Sequence, residues 1–433
     1  MDSTPRDPGK QEAVDATVGG LARHRYAAMV ARLVRALGPG RLELAEDVTQ
    51  EALVRALKAW PVQGVPREPE AWLFTVARNL ALDGLRRRSL GEAVERDLAG
   101  WATEAHGEPV ELGRDAPADD TLRMMFLCAH PLLAEDVRLP LVLKSVCGFS
   151  NAEIAAALLA REGTIAQRLT RAKARLAREG ATFELPPGEE LGERLDDLLS
   201  VLYLVFNEGY RAHRGEALVR VDLVHEALRL ARLLAAHPVT SRPEVHALLA
   251  LMLLSGARLP ARQDELGELL TLAEQDRAAW DRRWIAAGFG HLKRSLEGER
   301  MTAYHVEAAI ASLHAAAPSY AETDWPAILR EYERLLLLRD DPVVRLNRVV
   351  ALAKVQGARA ALDELDALGE EGPLAEYRLR WVTRAQLAWD LGEVEAAVQA
   401  LDAALALPSS EPERRVLERR RVAILAGEAP APW

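Results

Sequence analysis

Cysteine, aromatic residues and long apolar runs are all scarce in this chain, and each scarcity excludes something. Only two cysteines, Cys128 and Cys147, occur among 433 residues, both in apolar surroundings with no CxxC or Cys/His cluster. That excludes a disulfide framework and a zinc site, and fits reduced, packed thiols in a cytoplasm. No segment approaches the roughly 18 uncharged apolar residues that a membrane span requires. The opening MDSTPRDPGKQEAVD is polar and acidic, unlike a signal peptide. A soluble, cytoplasmic protein with no membrane partner is therefore expected. HExxH, GxGxxG, Walker and Ser/His/Asp patterns are missing, and His213, His225, His237, His246, His291, His305 and His314 are scattered. Nothing here suggests catalysis, a cofactor or a bound metal, so no enzyme is expected.

What the chain has instead is alanine, leucine and arginine, with aromatic residues at 5%, a composition that favours helices throughout. Its length suggests two or three domains. The net charge of −10 is unevenly spread. Residues 1–180 carry 25 basic and 25 acidic side chains, and 181–433 carry 30 basic and 40 acidic. Within 89–120 there are nine acids and two bases, which leaves the flanking segments 1–88 and 121–180 at about +7 together. Two basic blocks are separated by an acidic linker and followed by an acidic bulk.

Residues 1–20 read as a frayed tail. Helices are expected over 21–37, ending at Gly38-Pro39-Gly40, over 43–60, and over 70–88 after a Pro/Gly loop. Pro186-Pro187-Gly188 reads as a boundary, followed by a long series of amphipathic helices. Within that series, residues 346–368 and 384–407 form a repeat whose Gly357 and Gly392 lie 35 positions apart, the period of tetratricopeptide-like (TPR-like) helical pairs.

The most informative stretch is GFSNAEIAAALLAREGTIAQRLTRAKARLAR, residues 148–178. Ser150 with Glu153 and Thr164 with Gln167 both have capping-box spacing, so two short helices meet at a turn near Gly163. Ile154, Ala155 and Leu158 can pack on Ile165 and Leu169, leaving Arg168, Arg171, Lys173, Arg175 and Arg178 on a basic second helix. That is the layout of a helix-turn-helix, whose second helix enters a DNA major groove. Upstream, AEDVTQEALVRAL puts Ala45, Val48, Ala52 and Ala56 on one face and Asp47, Gln50 and Glu51 on the other, a solvated face or a docking stripe for a basic partner. In EAWLFTVARNLALDGLRRR, Trp72, Val76, Leu80 and Leu82 oppose Arg78, Asn79, Asp83, Arg86, Arg87 and Arg88, which suits a backbone grip with stacking on exposed bases. Phe74 reads as core.

In order and spacing, these two helices, the linker and the helix-turn-helix resemble bacterial sigma factors of the extracytoplasmic-function (ECF) type, which retain regions 2 and 4 of the sigma-70 family. DDTLRMMFLCAHP (119–131), LYLVFNEGY (202–210), DRAAWDRRWIAAG (276–288) and VVRLNRVVALA (343–353) resemble the ECF subgroup with a long C-terminal TPR-like extension. The resemblance implies an all-α protein: region 2 over 20–90, an acidic linker over 91–118, region 4 over 119–180 and a helical extension over 189–433. It implies that Asp47, Gln50 and Glu51 dock on the clamp helices of core RNA polymerase. Trp72, Arg78, Asn79 and Asp83 would melt and read the −10 element, with Arg86, Arg87 and Arg88 on its backbone. Thr164, Gln167, Arg168, Arg171, Lys173 and Arg175 would read the −35 element. The implied partners are core polymerase, double-stranded promoter DNA and the melted −10 strand, with the extension acting in cis in place of a separate anti-sigma factor. Gly84 departs from the larger residue common in the family. Asn207, Glu208 and Tyr210, with Gly209 expected to end their helix in a left-handed turn, read as a helix end that either locks onto a neighbour or lines a regulatory contact. Trp280, Asp281 and Trp284 read as packing. A free-standing helix-turn-helix regulator with a TPR-like sensor is the rival reading, and it leaves the Asp47/Gln50/Glu51 stripe without a purpose. An enzyme or peptide-binding scaffold within 190–433 is a third.

Overall fold

The computed structural model describes residues 8–88, 116–158, 160–210, 221–265, 268–369, 374–409 and 411–430. Most of the acidic linker lies outside them. The described residues are helical, with no strand beyond an isolated bridge between Gln263 and Leu269. Two compact units divide between Leu204 and Val205.

The N-terminal unit begins with α1 (Pro8–Leu37), α2 (Leu42–Gln63) and α3 (Pro69–Arg88), which pack on one another. α4 (Ala116–Cys128), α5 (Glu135–Ser145), α6 (Asn151–Ala157) and α7 (Glu162–Arg178) follow. Of the expected frayed tail over 1–20, residues 1–7 lie outside the described residues, and residues 8–20 are instead the first part of α1. Val14 and Val18 are buried there, extending the helix's apolar side, and α1 packs along α4. α2 runs past Trp60 because Pro61 removes a single N–H close to the helix end, and Gly64 donates back to the Trp60 carbonyl at 2.9 Å. In α3 the buried residues are Leu73, Ala77, Ala81, Leu82 and Leu85, so of the expected Trp72/Val76/Leu80/Leu82 face only Leu82 is buried, and the main stripe is displaced by one position. Small alanines allow close packing there, and the larger residues sit half-buried at the margin.

The C-terminal boundary of this unit also differs from the proline-rich segment at 186–188. α8 (Leu191–Tyr210) buries Leu191, Leu195, Leu198, Leu199 and Leu202. Arg194 donates to the Phe126 carbonyl at 2.8 Å, and Arg138 pairs with Asp197 at 2.9 Å, so its first turns belong to the N-terminal core.

The C-terminal unit holds the end of α8, then α9 (Val221–Ala236), α10 (Pro243–Gly256), α11 (Arg282–Ser295), α12 (Ala303–Ala316) and α13 (Trp325–Leu338). It ends with α14 (Pro342–Gln356), α15 (Ala358–Ala367), α16 (Arg378–Asp390), α17 (Val394–Ala406) and α18 (Glu411–Leu425). From α9 onward each helix packs on the next, and the sequence repeat corresponds to α14/α15 and α16/α17. Gly357 and Gly392 sit at φ 89° and 78°, a left-handed conformation that a side chain would strain. The stack is also tied across its length. Arg419 on α18 reaches Glu268 at 2.7 Å and Glu274 at 3.5 Å, in the segment between α10 and α11. One stretch, Pro243–Ala261, is long and apolar enough to cross a membrane, but 78% of its window is buried in this core.

Candidate nucleic-acid interface

The helix-turn-helix is built from its first cap onward. The Ser150 Oγ accepts from the Glu153 N–H at 3.2 Å while the Glu153 carboxylate accepts from the Ser150 N–H at 2.7 Å, a complete capping box that starts α6. The second expected box is not formed. α7 starts earlier, at Glu162, so Thr164 and Gln167 lie inside its first turns and Gly163 is helical. Ile154 and Ala155 on α6 and Ile165, Leu169, Ala172 and Leu176 on α7 are buried, and Leu158 is half-buried. This packing turns Thr164, Gln167, Arg168, Arg171 and Arg175 outward together. Arg168 lies 3.5 Å from Asp136, a weak exposed pair that a phosphate could replace.

Lys173 is the exception. It lies five positions beyond Arg168, about 140° round the helix, and so leaves the outward face. Its side chain is only 11% exposed and its ammonium bonds the Glu46 carboxylate of α2. In this conformation Lys173 cannot contact DNA alongside the others.

On α2 the buried side is Ala45, Val48, Ala52 and Ala56, and Asp47, Gln50 and Glu51 are exposed on the opposite side. Glu51 accepts from Arg55 at 3.0 Å, and Val54 continues the stripe with 39% exposure. On α3, Asn79 and Asp83 are exposed, Arg78 is half-buried, and Arg86 is exposed 3.8 Å from Asp83. Nothing is described for the side chains of Arg87 and Arg88. Trp72 is half-buried and meets the buried Trp60 edge-on at 5.4 Å, which fixes its ring while leaving part of it open. Phe74 is not fully in the core; the Arg32 guanidinium covers its ring at 3.9 Å. At Gly84 an added Cβ would meet Leu44 at 3.5 Å, an ordinary contact, so the departure at this position leaves room for a small side chain.

Sequence reasoning missed Glu46 and Ser145. Glu46 is 2% exposed and accepts from the Ser145 hydroxyl at 2.5 Å as well as from Lys173. A signal was available: Glu46 and Thr49 flank the buried alanine side of α2, and Thr49 is itself buried with its hydroxyl on the Ala45 carbonyl. Nearby, burial pushes the Tyr26 phenol and the Cys128 thiol well up, with Glu46 adding to both. His130 is pushed down to about 4 by burial, then by Arg194 and Arg138.

The end of α8 lies in the second unit. Tyr210 stacks on Phe206 at 5.5 Å and lies 4.2 Å beneath the Arg262 guanidinium, which also donates to its carbonyl. Gly209 is helical, without the expected left-handed turn. Asn207 and Glu208 are half-buried. Trp280 is core, and Asp281 caps α11 through the Arg283 and Trp284 N–H groups at 2.8 and 3.0 Å. Among the described residues, no group of three His, Cys, Asp or Glu side chains could hold a metal.

Residues 23–90 match the sigma-70 region 2 family and residues 123–176 the sigma-70 region 4 family. The ECF RNA polymerase sigma factor SigL of Mycobacterium tuberculosis is 37% identical over 126 residues, 29% of this chain and 68% of that protein. This chain belongs to the ECF sigma factors. The sigma factor is also similar to the ECF RNA polymerase sigma factor EcfG of Rhodopseudomonas palustris, at 32% over 32% of this chain and 72% of that one. Over 374 residues it is 40% identical to an uncharacterised protein of Rhizobium meliloti, covering 86% and 88% of the two chains. Residues 194–296 of this sigma factor match a family of unknown function, DUF6596. No solved structure matches it. As a sigma factor, the protein binds core RNA polymerase and promoter DNA.

Proposed function

We propose that this sigma factor docks on core polymerase through Asp47, Gln50 and Glu51, reads the −10 element through Trp72, Arg78, Asn79, Asp83 and the Arg86–Arg88 run, and reads the −35 element through Thr164, Gln167, Arg168, Arg171 and Arg175. The observation that carries the reading is the common outward direction of the last five side chains over a buried Ile165/Leu169/Ala172/Leu176 stripe. Exposed arginines and hydrogen-bonding side chains on one helix face supply both base and phosphate contacts. Transcription with purified core enzyme on genomic fragments tests the whole assignment. Reversing Asp47 and Glu51 to lysine should abolish capture of core enzyme with the helical content unchanged, and unchanged capture would overturn the docking stripe.

The helical extension then regulates the sigma module in cis, without a separate anti-sigma partner. Its acidic balance beside two basic blocks, and the high effective concentration of an attached domain, support this reading. A fair truncation falls after Tyr210, since a cut at Pro187 would strip from the N-terminal core the leucines of α8. The fragment 1–210 should stay folded by circular dichroism and differ from the full chain in promoter-specific transcription. Equal transcription by both would assign the extension to another partner.

A further inference from the structure

In the C-terminal unit α9 and α11 both pack on α10, and long side chains span the space between them. His225 on α9 meets Trp284 on α11 edge-on at 5.6 Å. Two helical turns further along each helix come Arg232 and His291, and the Arg232 charge acts on the His291 ring. From α10, His246 completes the group. Its ring stacks on His291 with centroids 5.1 Å apart and Nδ1 atoms at 2.9 Å, and its Nε2 lies 3.1 Å from the Ser241 hydroxyl. Arg294 follows one turn after His291, and its charge acts on both rings. His246 is buried and His291 half-buried, while Arg232, Arg294 and Ser241 are exposed, so the cluster opens to solvent on one side.

The positive charge here is not matched by acid. Neighbouring arginines hold carboxylates: Arg229 meets Glu226 at 2.5 Å and Arg300 meets Glu244 at 3.9 Å. Arg232 and Arg294 make no ion pair or side-chain hydrogen bond among the described residues. Glu297 is the carboxylate that acts on His246, whereas the charges acting on His291 are those of His246, Arg294 and Arg232, all basic.

We propose that Arg232, His291 and Arg294, backed by His246 and Ser241, form a binding site for the phosphate group of a small phosphomonoester. Charge sets the ligand class. Two guanidiniums without carboxylates balance about −1.5 to −2, which a phosphomonoester carries near pH 7 and a carboxylate or phosphodiester does not. Hydrogen bonding sets where the ligand sits. The facing Nδ1 atoms of His246 and His291 share one proton. With that proton on His246, Ser241 donates to His246 Nε2, His246 donates to His291 Nδ1, and His291 carries its own proton on Nε2, directed away from the pair. An anion at this nitrogen selects that proton order over its reverse, so Ser241 and His246 act as positioning residues. A phosphate held there bridges α9 to α11 and stabilises the C-terminal unit in proportion to ligand concentration. All five residues lie within 194–296, the segment that matches the family of unknown function. The site stands apart from the polymerase and promoter assignments, which rest on the other unit.

Phenyl phosphate titrated into the full chain at constant ionic strength tests the site, followed by phosphorus NMR line broadening and by the C-terminal unfolding transition. Saturable binding and a raised C-terminal transition are expected. Arg232→Gln should weaken binding about 10-fold or more, and Arg294→Gln likewise, since each removes one charged donor. Both side chains are exposed, so both variants should keep the helical content of the wild type. Ser241→Ala, which frees the proton order without touching the ligand, should weaken binding by less than either arginine variant. Inorganic phosphate should displace the probe, and acetate should not. No saturable binding up to about 10 mM, or binding that both arginine variants leave unchanged, overturns the proposal. Displacement by dimethyl phosphate or by a promoter duplex as readily as by inorganic phosphate would overturn the monoester assignment and make the cluster a contact for nucleic-acid backbone.

Discussion

In the N-terminal unit Arg168, Arg171 and Arg175 project from α7 into solvent, whereas in the C-terminal unit Arg277 and Arg380 turn inward onto backbone carbonyls. Arg277 donates to the carbonyls of His314 at 2.5 Å and Ala317 at 2.8 Å, closing the end of α12, and burial pushes its pKa down. Arg380 is fully buried and donates to the Gly369 carbonyl. The same planar, permanently charged fork serves recognition in one unit and helix termination in the other. Exposed arginines contribute little to stability, so they can be chosen for what they bind. Buried ones are committed to the fold. The comparison separates residues whose loss should affect promoter recognition from residues whose loss should unfold the extension.

The largest effect expected is at Arg277. Arg277→Met orphans two carbonyls and should cost the C-terminal unit about 3 kcal/mol, with the N-terminal transition unmoved in denaturant unfolding of the full chain. A shift in both transitions, or in neither, breaks the contrast. Arg168→Ala with Arg171→Ala should do the reverse. Promoter binding weakens by about 1–3 kcal/mol for each base the helix no longer grips, and its salt dependence becomes shallower for each phosphate left without an arginine, while thermal unfolding stays put. Binding assays at two salt concentrations distinguish these outcomes.

A smaller effect comes from histidine. In the C-terminal unit His291 is pushed down to about 4 by burial, then by His246, Arg294 and Arg232, and His314 to about 3 by burial, Arg258 and Arg277. His246 and His305 are also lowered, chiefly by burial. The N-terminal unit has His130. A histidine depressed in the folded state binds its proton more readily when unfolded, so stability falls as pH drops from about 6.5 toward 4. The C-terminal unit should therefore lose melting temperature faster over that window than the N-terminal unit. The His246 and His291 rings stack with Nδ1 atoms 2.9 Å apart, a contact in which one nitrogen must donate and the other accept. His291→Gln should flatten the acid slope; an unchanged slope would put its cause elsewhere.

The two units were unequally legible from sequence. The Ser150/Glu153 cap, the outward Arg168/Arg171 face and the Gly357/Gly392 repeat are local features, set by helical spacing within a few residues, and all are found in the structure. The face of α3 was harder to read, because large apolar side chains suggest a core while alanines permit closer packing. Least legible was the fate of Lys173. As a basic residue on a basic helix it reads as a DNA contact, and no local pattern relates it to a glutamate 127 positions earlier. The same holds for α8, whose leucine stripe is plain in sequence but whose allegiance to the first core depends on Arg138–Asp197 and Arg194–Phe126 contacts across long stretches of chain.

The tie from Arg419 to Glu268 and Glu274 gives the extension a fixed number of parts. An open helical stack can gain or lose a pair at its end, since each pair meets only its neighbours. Here the last helix must arrive opposite one particular acidic segment 151 residues before it. Inserting or deleting one 35-residue pair would carry α18 past that segment or leave it short, so homologous chains that keep this closure should vary in loop length rather than in repeat count.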